Sequence, residues 1–295
     1  MTINLLNCNL GIRRLWRGVS CDLKACLEAP QMIAAPWRKE SSIFTFSDSS
    51  SLKALNRNAY LELVARECAQ AVDFLLAKNQ QERQIVIGGD HMVSFASLLA
   101  DLRRFPASEV ALLMFDSHDD FNLTAESETG NFHGMWVRPF FTHFDNIDIE
   151  ALVAQKIPLE NLLYVGNLDM ETPVANFFRE KKIRVLGQQQ WQKDFAGTLK
   201  QLQSFVDQFP HLHLSFDLDV IAGKVDFAQA TSGNWAVNLP YEQGLPLPLV
   251  QKIYQQLHLP KTFNFDLVEY NGSRLTAAES TLAFAQEMIQ WVLAG

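Results

Sequence analysis

Carboxylate and imidazole side chains follow three apolar runs of the sequence, at the point where each run ends. The three endings are Gly88-Gly89-Asp90-His91, Asp116-Ser117-His118-Asp119-Asp120 and Asp217-Leu218-Asp219. Alternate residues of an extended chain share one side, so the first, third and fifth residues of the second ending can converge on one point. The two glycines allow a tight turn that aims the imidazole of His91 at the same place.

Together these residues form a candidate ligand set of four carboxylates and two imidazoles. Its members are His91, Asp116, His118, Asp120, Asp217 and Asp219. A structural zinc site takes four ligands and favours Cys and His. The larger, oxygen-rich set predicts two divalent metal ions, with Mn²⁺ as the first candidate. Two ions ~3.5–4 Å apart can bridge a water and lower its pKa towards ~7, which gives a hydroxide nucleophile at neutral pH.

Each motif alone has an ordinary structural explanation, such as a polar strand end or a core histidine, and their joint occurrence favours the metal site. We expect Asp119 to point away from the ligands as a structural residue, and Asp90 to cap the helix that follows it. The remaining histidines are interpreted as surface or packing residues. They are His143, His211, His213 and His258.

The elements that must position these side chains alternate between strand and helix. The predicted strands are Ile3–Leu6, Ile43–Phe46, Ile85–Ile87, Val110–Phe115, Leu162–Val165, Ile183–Leu186, Leu212–Phe216 and Phe263–Val268. Helices are predicted near 52–79, 93–102, 172–181, 190–208, 246–257 and 277–293. This alternation indicates an α/β fold with three layers, α/β/α, around a mostly parallel central sheet of about eight strands, in a single domain over residues 1–295. Ligands of such sheets bind at the carboxyl ends of the strands, where the motifs lie.

Composition excludes several other classes of protein. The net charge is −8, the sequence pI is about 5.4, and no Lys/Arg run stands out, so a nucleic-acid partner is not expected. No export signal and no apolar run near the ~20 residues of a membrane span are present, so we expect a soluble, cytoplasmic protein. Cys8, Cys21, Cys26 and Cys68 form no CxxC pair and are interpreted as reduced packing residues.

The three motifs resemble, in order and spacing, the metal-binding motifs of the arginase family, the ureohydrolases, from about residue 84 to the C-terminus. The resemblance implies roles for residues outside the motifs. His133 would carry protons to the leaving amine, and Glu269 would pair with a guanidinium group. Asn122, Thr129 and Asn131 would hold the α-carboxylate of an amino-acid substrate, and Glu171 would meet its α-amino group. The family also suggests a homo-oligomer, either a trimer or a hexamer.

The activity predicted from the residues and the resemblance is hydrolysis of a C–N bond in a guanidino or formimino amino acid, through a hydroxide that bridges two metal ions. Asp120 would take the hydroxide proton. The alternatives within the family are an agmatinase and another guanidino-acid amidinohydrolase. Structural alternatives for the two catalytic side chains are packing of His133 on Trp136 and a structural salt bridge at Glu269.

Two further classes stay open, and departures from the family pattern support one of them. The stretch Val220–Asp226 lacks the Asp-Pro and Ala-Pro-Gly of arginase-like sequences, Met92 replaces a usual serine, and Tyr270-Asn271-Gly272 replaces Asn-Pro. The altered stretch after Asp219 is compatible with a non-catalytic metal- or ligand-binding member. A single-zinc amide deacetylase on a related fold is the other alternative, and it predicts one metal where the leading hypothesis predicts two.

Overall fold

The computed structural model describes residues 2–12, 23–47, 55–78, 83–225, 233–234, 237, 242–260, 262–273 and 278–294. Its central feature is an eight-stranded sheet with the strand order β2-β1-β3-β10-β7-β4-β5-β6, in which every pairing is parallel. The strands are β1 Thr2–Asn7, β2 Ser41–Thr45, β3 Arg83–Gly88, β4 Val110–Phe115, β5 Leu162–Val165, β6 Arg184–Leu186, β7 His211–Asp217 and β10 Phe263–Val268. Two short strands, β8 Lys224–Val225 and β9 Gly233–Asn234, form a separate antiparallel pair. The predicted α/β fold is confirmed.

Helices cover both faces of the sheet. They are α1 Leu23–Ile33, α2 Arg57–Lys78, α3 Val93–Leu102, α4 Arg138–Phe141, α5 Ile147–Leu152, α6 Thr172–Lys181, α7 Gln188–Lys193, α8 Phe195–Val206, α9 Leu247–Gln256 and α10 Ala278–Ala294. Ile85 and Ile87 of β3 pack into one hydrophobic cluster with α1, α8, α9 and α10. Val86, between them, packs into a second cluster with α2, α3 and α6. Burial on both faces explains why central strands such as β4 are apolar throughout.

The helices differ from the sequence prediction in two ways: one predicted helix is divided, and the helices α1, α4 and α5 were not predicted. The helix expected over 190–208 is divided at Asp194, whose Oδ1 accepts a hydrogen bond from the backbone N–H of Gly197 at 2.9 Å and so starts α8 as a new helix. Helix α1 was missed, and its interior Pro30 is a residue that usually argues against a helix. The ends of the helix predicted over 52–79 lie partly outside the described residues, since α2 is described from Arg57 to Lys78.

Among the described cysteines, Cys8, Cys26 and Cys68 are buried and form no disulfide, as expected for packing residues. Cys21 lies outside the described residues. None of the described helices combines the length and the apolar composition that a bilayer crossing requires.

Candidate metal centre

The strand order brings the motif-bearing strands together at the middle of the sheet. Strands β3, β10, β7 and β4 are consecutive neighbours. His91 follows β3, Glu269 follows β10, Asp217 ends β7, and Asp116 follows β4. Because all four strands are parallel, their carboxyl ends meet at one edge, and the polar residues that follow them share a small volume.

One imidazole nitrogen faces three carboxylates. The Nδ1 atom of His91 lies 2.9 Å from Asp120 Oδ2, 3.1 Å from Asp217 Oδ2 and 3.3 Å from Asp116 Oδ2. The other ring nitrogen, Nε2, lies 2.9 Å from Ser215 Oγ. A hydrogen bond at one nitrogen of a histidine sets which nitrogen is left to bind a metal, and here that nitrogen is Nδ1.

A second group of donors shares a carboxylate with the first. His118 Nδ1 lies 2.9 Å from Asp219 Oδ2 and 3.8 Å from Asp116 Oδ1. The ligand atoms of His91, Asp116 and Asp217 lie within 4.8 Å of one another, and so do those of Asp116, His118 and Asp219. Asp116 therefore belongs to both groups, as a carboxylate between two adjacent cations would.

The electrostatics of the two groups fit divalent cations. Burial and the charges of Asp217, Asp219 and Asp120 raise the pKa of Asp116 well above its usual range. Burial and the charge of Asp219 do the same to the pKa of Asp217. The Oδ2 atom of Asp116 is buried and has no hydrogen-bond partner. Buried carboxylates that repel one another need a strong local positive charge, which metal ions supply.

The backbone brings the ligands together in a way that the sequence reasoning misjudged. We expected alternation along an extended chain, but β4 ends at Phe115, and Asp120 has a left-handed φ of 48°. The loop is held by the side chain of Asp116, whose Oδ1 accepts the N–H of His118 at 2.7 Å. Asp217 repeats this arrangement by accepting the N–H of Asp219 at 2.8 Å, in a turn of 3₁₀ helix. The ligands therefore converge through turns closed by their own carboxylates.

A pocket opens beside the two donor groups and is lined by every residue for which the resemblance implied a catalytic or substrate-binding role. These residues are Asn122, Thr129, Asn131, His133, Glu171 and Glu269. The sequence analysis missed Ser127, Asp169 and Met170, which also line it. The position of Asp169 shortly after β5 was a usable signal, because β5 ends at the same edge of the sheet.

His133 and Glu269 line this pocket next to each other. His133 Nδ1 is 3.9 Å from Glu269 Oε1. Burial disfavours the charged form of His133, but Glu269 together with Asp90 and Asp120 outweighs burial and raises its pKa to about 9. Glu269 Oε1 also accepts the backbone N–H of His91 at 2.7 Å, and the residue has a left-handed φ of 71°. The raised pKa thus favours the charged form of the imidazole, which lies beside a carboxylate.

The remaining predicted substrate residues form hydrogen bonds with one another. Asn122 Nδ2 donates to Glu171 Oε2 at 3.0 Å, while the Oδ1 atom of Asn122 is buried without a partner. Thr129 Oγ1 accepts the N–H of Asn131 at 3.1 Å, and Asn131 Nδ2 lies 3.4 Å from His133 Nε2. Glu171 and the three neutral side chains therefore line the pocket as two hydrogen-bonded pairs.

Two carboxylates outside the candidate ligand set, Asp90 and Asp119, accept hydrogen bonds from backbone N–H groups. Asp90 does not cap α3, because Met92 occupies the N-cap position; its carboxylate accepts the N–H groups of Met92 at 2.9 Å and Gly11 at 2.8 Å. It therefore joins the loop after β3 to the loop after β1. Asp119 accepts the N–H of Phe121 at 2.7 Å, which fits the structural role expected for it, although it also lines the pocket.

A separate buried polar cluster lies nearer the opposite end of β7, and the sequence analysis missed it. His213 contacts Asp101 of α3 and Asp266 of β10, and Ser97 Oγ donates to Asp266 Oδ1 at 2.8 Å. His211 Nε2 lies 3.1 Å from Asp101 Oδ2. His143 and His258, by contrast, are exposed, as predicted. The pairing of His213 with two acidic residues on other elements left no spacing signal in the sequence.

Comparison with known proteins agrees with this fold and site. The sequence profile of the arginase family matches residues 24–294, and the chain belongs to this family. It is 26% identical to the arginase of Coccidioides posadasii over 208 residues, which cover 66% of this chain and 61% of that protein. It is 25% identical to the arginase of Staphylococcus aureus over 142 residues, which cover 46% of this chain and 45% of that protein. The matches thus span less than two thirds of these curated relatives.

A solved structure shows the same fold along the whole chain. The structure of Entamoeba histolytica arginase in complex with L-ornithine superposes with a TM-score of 0.80 at 18% identity, and covers 99% of this chain and 97% of that one.

Proposed function

We propose that this protein is a binuclear metal hydrolase that cleaves the guanidino C–N bond of an amino acid, with arginine as the first substrate to test. The observation that carries the proposal is the pair of donor groups sharing Asp116, beside a pocket that His133 and Glu269 also line. A metal pair next to a proton donor and a carboxylate is the set of groups that hydrolysis of a planar cation needs.

The residues present fit two divalent ions. His91, Asp116, Asp120 and Asp217 would hold one, and Asp116, His118 and Asp219 would hold the other. Oxygen-rich ligands with two imidazoles favour Mn²⁺. When bound, such ions supply a water of lowered pKa as the nucleophile.

The charge of the pocket favours a cationic substrate. Apart from the candidate metal ligands, the described residues that line it include the acidic residues Asp119, Asp169, Glu171 and Glu269, and none is Lys or Arg. Glu269 can offer two oxygens to the paired N–H groups of a guanidinium. Arginine carries a net positive charge, whereas formimidoylglutamate carries two carboxylates, for which the described lining offers no Lys or Arg. We therefore rank a formimino substrate second, after arginine.

The wall of the pocket supports an amino-acid substrate over a simple amine. Asn122, Thr129 and Asn131 provide neutral hydrogen-bonding groups for an α-carboxylate, and Glu171 provides a charge for an α-amino group. The ornithine in the Entamoeba histolytica arginase is an amino acid of this kind. Agmatine lacks the carboxylate and would leave the neutral groups without a partner, so we expect it to be a poorer substrate.

The protein side chains would handle the protons. Asp120 would accept the proton that the attacking water loses, and His133 would deliver a proton to the nitrogen of the departing amine. Since its pKa is raised to about 9, His133 is charged at neutral pH and ready to donate. Glu269 would keep the substrate carbon oriented during both transfers.

The test is to load the purified protein with Mn²⁺ and assay urea from arginine and from agmatine, and formamide from formimidoylglutamate. We expect urea from arginine, and the Asp217→Ala variant serves as the ligand-deficient control. Absence of turnover with all three substrates by a protein that carries two ions per chain would favour a non-catalytic binding protein. One ion per chain would favour a single-metal enzyme.

A further inference from the structure

The indole of Trp136 contacts the candidate metal centre from outside the donor groups. It is fully buried, and its Nε1–H donates to Asp120 Oδ2 at 2.9 Å. Its ring lies 5.0 Å from the ring of His91, centroid to centroid. The oxygen that accepts the indole N–H is the same atom that lies 2.9 Å from His91 Nδ1. Trp136 therefore hydrogen-bonds the Asp120 oxygen that belongs to the donor group containing His91.

The backbone joins the same two segments. The N–H of Val137 donates to the carbonyl of Asp120 at 3.0 Å, and the N–H of Asn122 donates to the carbonyl of Gly134 at 3.2 Å. Three hydrogen bonds thus connect residues 120–122, which carry a metal ligand, to residues 132–137, which carry His133. The indole bond is the one of the three that ends on a metal-ligand atom.

The chemistry of the indole suits it to orienting a carboxylate. The indole of Trp136 has one hydrogen-bond donor and no acceptor. It can therefore donate to a carboxylate oxygen of Asp120, but it cannot replace Asp120 as a metal ligand. Asp120 itself has a left-handed backbone and lies in the loop after β4, outside the strand. Hydrogen bonds to a ligating carboxylate fix its direction, and their loss typically costs 10–100-fold in metal affinity or activity.

We propose that Trp136 is a positioning residue for the ion on the His91 side, and that its indole makes the affinity of that ion depend on the placement of the segment that carries His133. The inference rests on the proposed function, because it assumes two ions. A buried tryptophan usually finds a hydrogen-bond partner, so the competing explanation is simple satisfaction of the indole in the core. That explanation predicts no selective effect on one metal.

The experiment compares Mn²⁺ binding by the wild type, Trp136→Phe and Trp191→Phe, through electron paramagnetic resonance of free Mn²⁺ during titration. Phe keeps a buried aromatic ring and removes the donor. Trp191 is the matched control, because it is also buried and its Nε1–H donates to the carbonyl of Leu186 at 3.0 Å, away from the pocket lining. Circular dichroism and thermal unfolding establish that each variant is folded.

We expect two ions in the wild type and in Trp191→Phe. In Trp136→Phe we expect one ion bound as before and the other weakened by about 10–100-fold. Two ions in the wild type with unchanged affinities in Trp136→Phe would overturn the inference alone. Fewer than two ions in the wild type would overturn the proposed function and, with it, the inference.

A second measurement needs no substitution at position 136. Deuterium exchange of the tryptophan indole N–H groups is followed by NMR in the wild type, without metal and with diamagnetic Zn²⁺, and the signal broadened by Mn²⁺ identifies Trp136. If the indole holds the ligand carboxylate, its exchange slows when metal binds. If metal leaves this exchange rate unchanged, the indole only fills its hydrogen-bonding capacity in the core, and the inference is overturned. This result holds even if Trp136→Phe fails to fold.

Discussion

The Nε2 atom of His213 lies 2.8 Å from Asp266 Oδ2, in a fully buried ion pair between two neighbouring strands. On its other side, Nδ1 lies 2.7 Å from Asp101 Oδ2 of α3. Burial opposes the charged form, but Asp266 and Asp101 outweigh it and raise the pKa of His213 to about 10. This imidazolium joins β7, which carries Asp217, to β10, which leads to Glu269. The strand that ends at the candidate ligand Asp217 and the strand that leads to Glu269 are therefore held together by charge as well as by backbone hydrogen bonds.

Replacing His213 should destabilise the fold markedly. In His213→Gln, Asp101 and Asp266 lose their common cation and remain buried, and breaking a buried ion pair costs about 3–5 kcal/mol. Urea unfolding at pH 6 measures the change in the free energy of unfolding, with His258→Gln at an exposed position as the control. A loss no larger than that of the control would show that the triad contributes nothing to stability.

The same pair predicts how stability depends on pH. The pKa of His213 is about 10 when folded, against an ordinary value of 6.5, so its contribution is complete below pH 6.5 and is lost as the pH rises through 10. Burial raises the pKa of Asp101, but His211 and His213 outweigh it and lower the pKa to about 2, so that contribution is lost as the pH falls through 2. The difference between wild type and His213→Gln should therefore shrink from pH 6 to pH 10. A difference in unfolding free energy that grows over this interval would contradict the assignment.

The metal ligands should not be equivalent, because Asp116 belongs to both donor groups. We expect Asp116→Ala to lose both ions and His118→Ala to lose one. Metal analysis of dialysed protein counts the ions per chain, and Asp73→Ala, at an exposed position on α2, is the control. Full metal content in Asp116→Ala would remove the basis for a shared carboxylate.

Replacing His133 should lower kcat without changing the number of bound metal ions. In His133→Asn the proton donor to the leaving nitrogen is lost, and general acid catalysis typically contributes 10²–10⁴-fold, so kcat should fall by about that factor with two ions still bound. Steady-state kinetics and metal analysis of the same sample make the measurement, with His143→Asn at an exposed position as the control. Unchanged kcat would assign His133 to packing.

The fold and the clustering of the candidate ligands at the strand ends were accessible from the sequence because both depend on local pattern. The run Val110–Phe115 is apolar throughout, and it forms the strand β4 with those bounds. The way in which Asp116 and Asp120 converge was not accessible, since it depends on a left-handed residue and on turns closed by side chains. The partner of Trp136 was hidden for a related reason: the indole meets Asp120 sixteen residues away along a loop with no periodicity.

Asp120 and Glu269 have left-handed backbones, with φ values of 48° and 71°. At these positions the residue that is best for folding stability differs from the residue that the proposed activity requires. A side chain with a Cβ in this region costs of order 1–3 kcal/mol, and glycine adopts it without that penalty. Glycine at these two positions would relax the backbone and remove a candidate metal ligand and a candidate substrate carboxylate. Selection for thermal resistance alone would therefore act against the proposed chemistry at both positions.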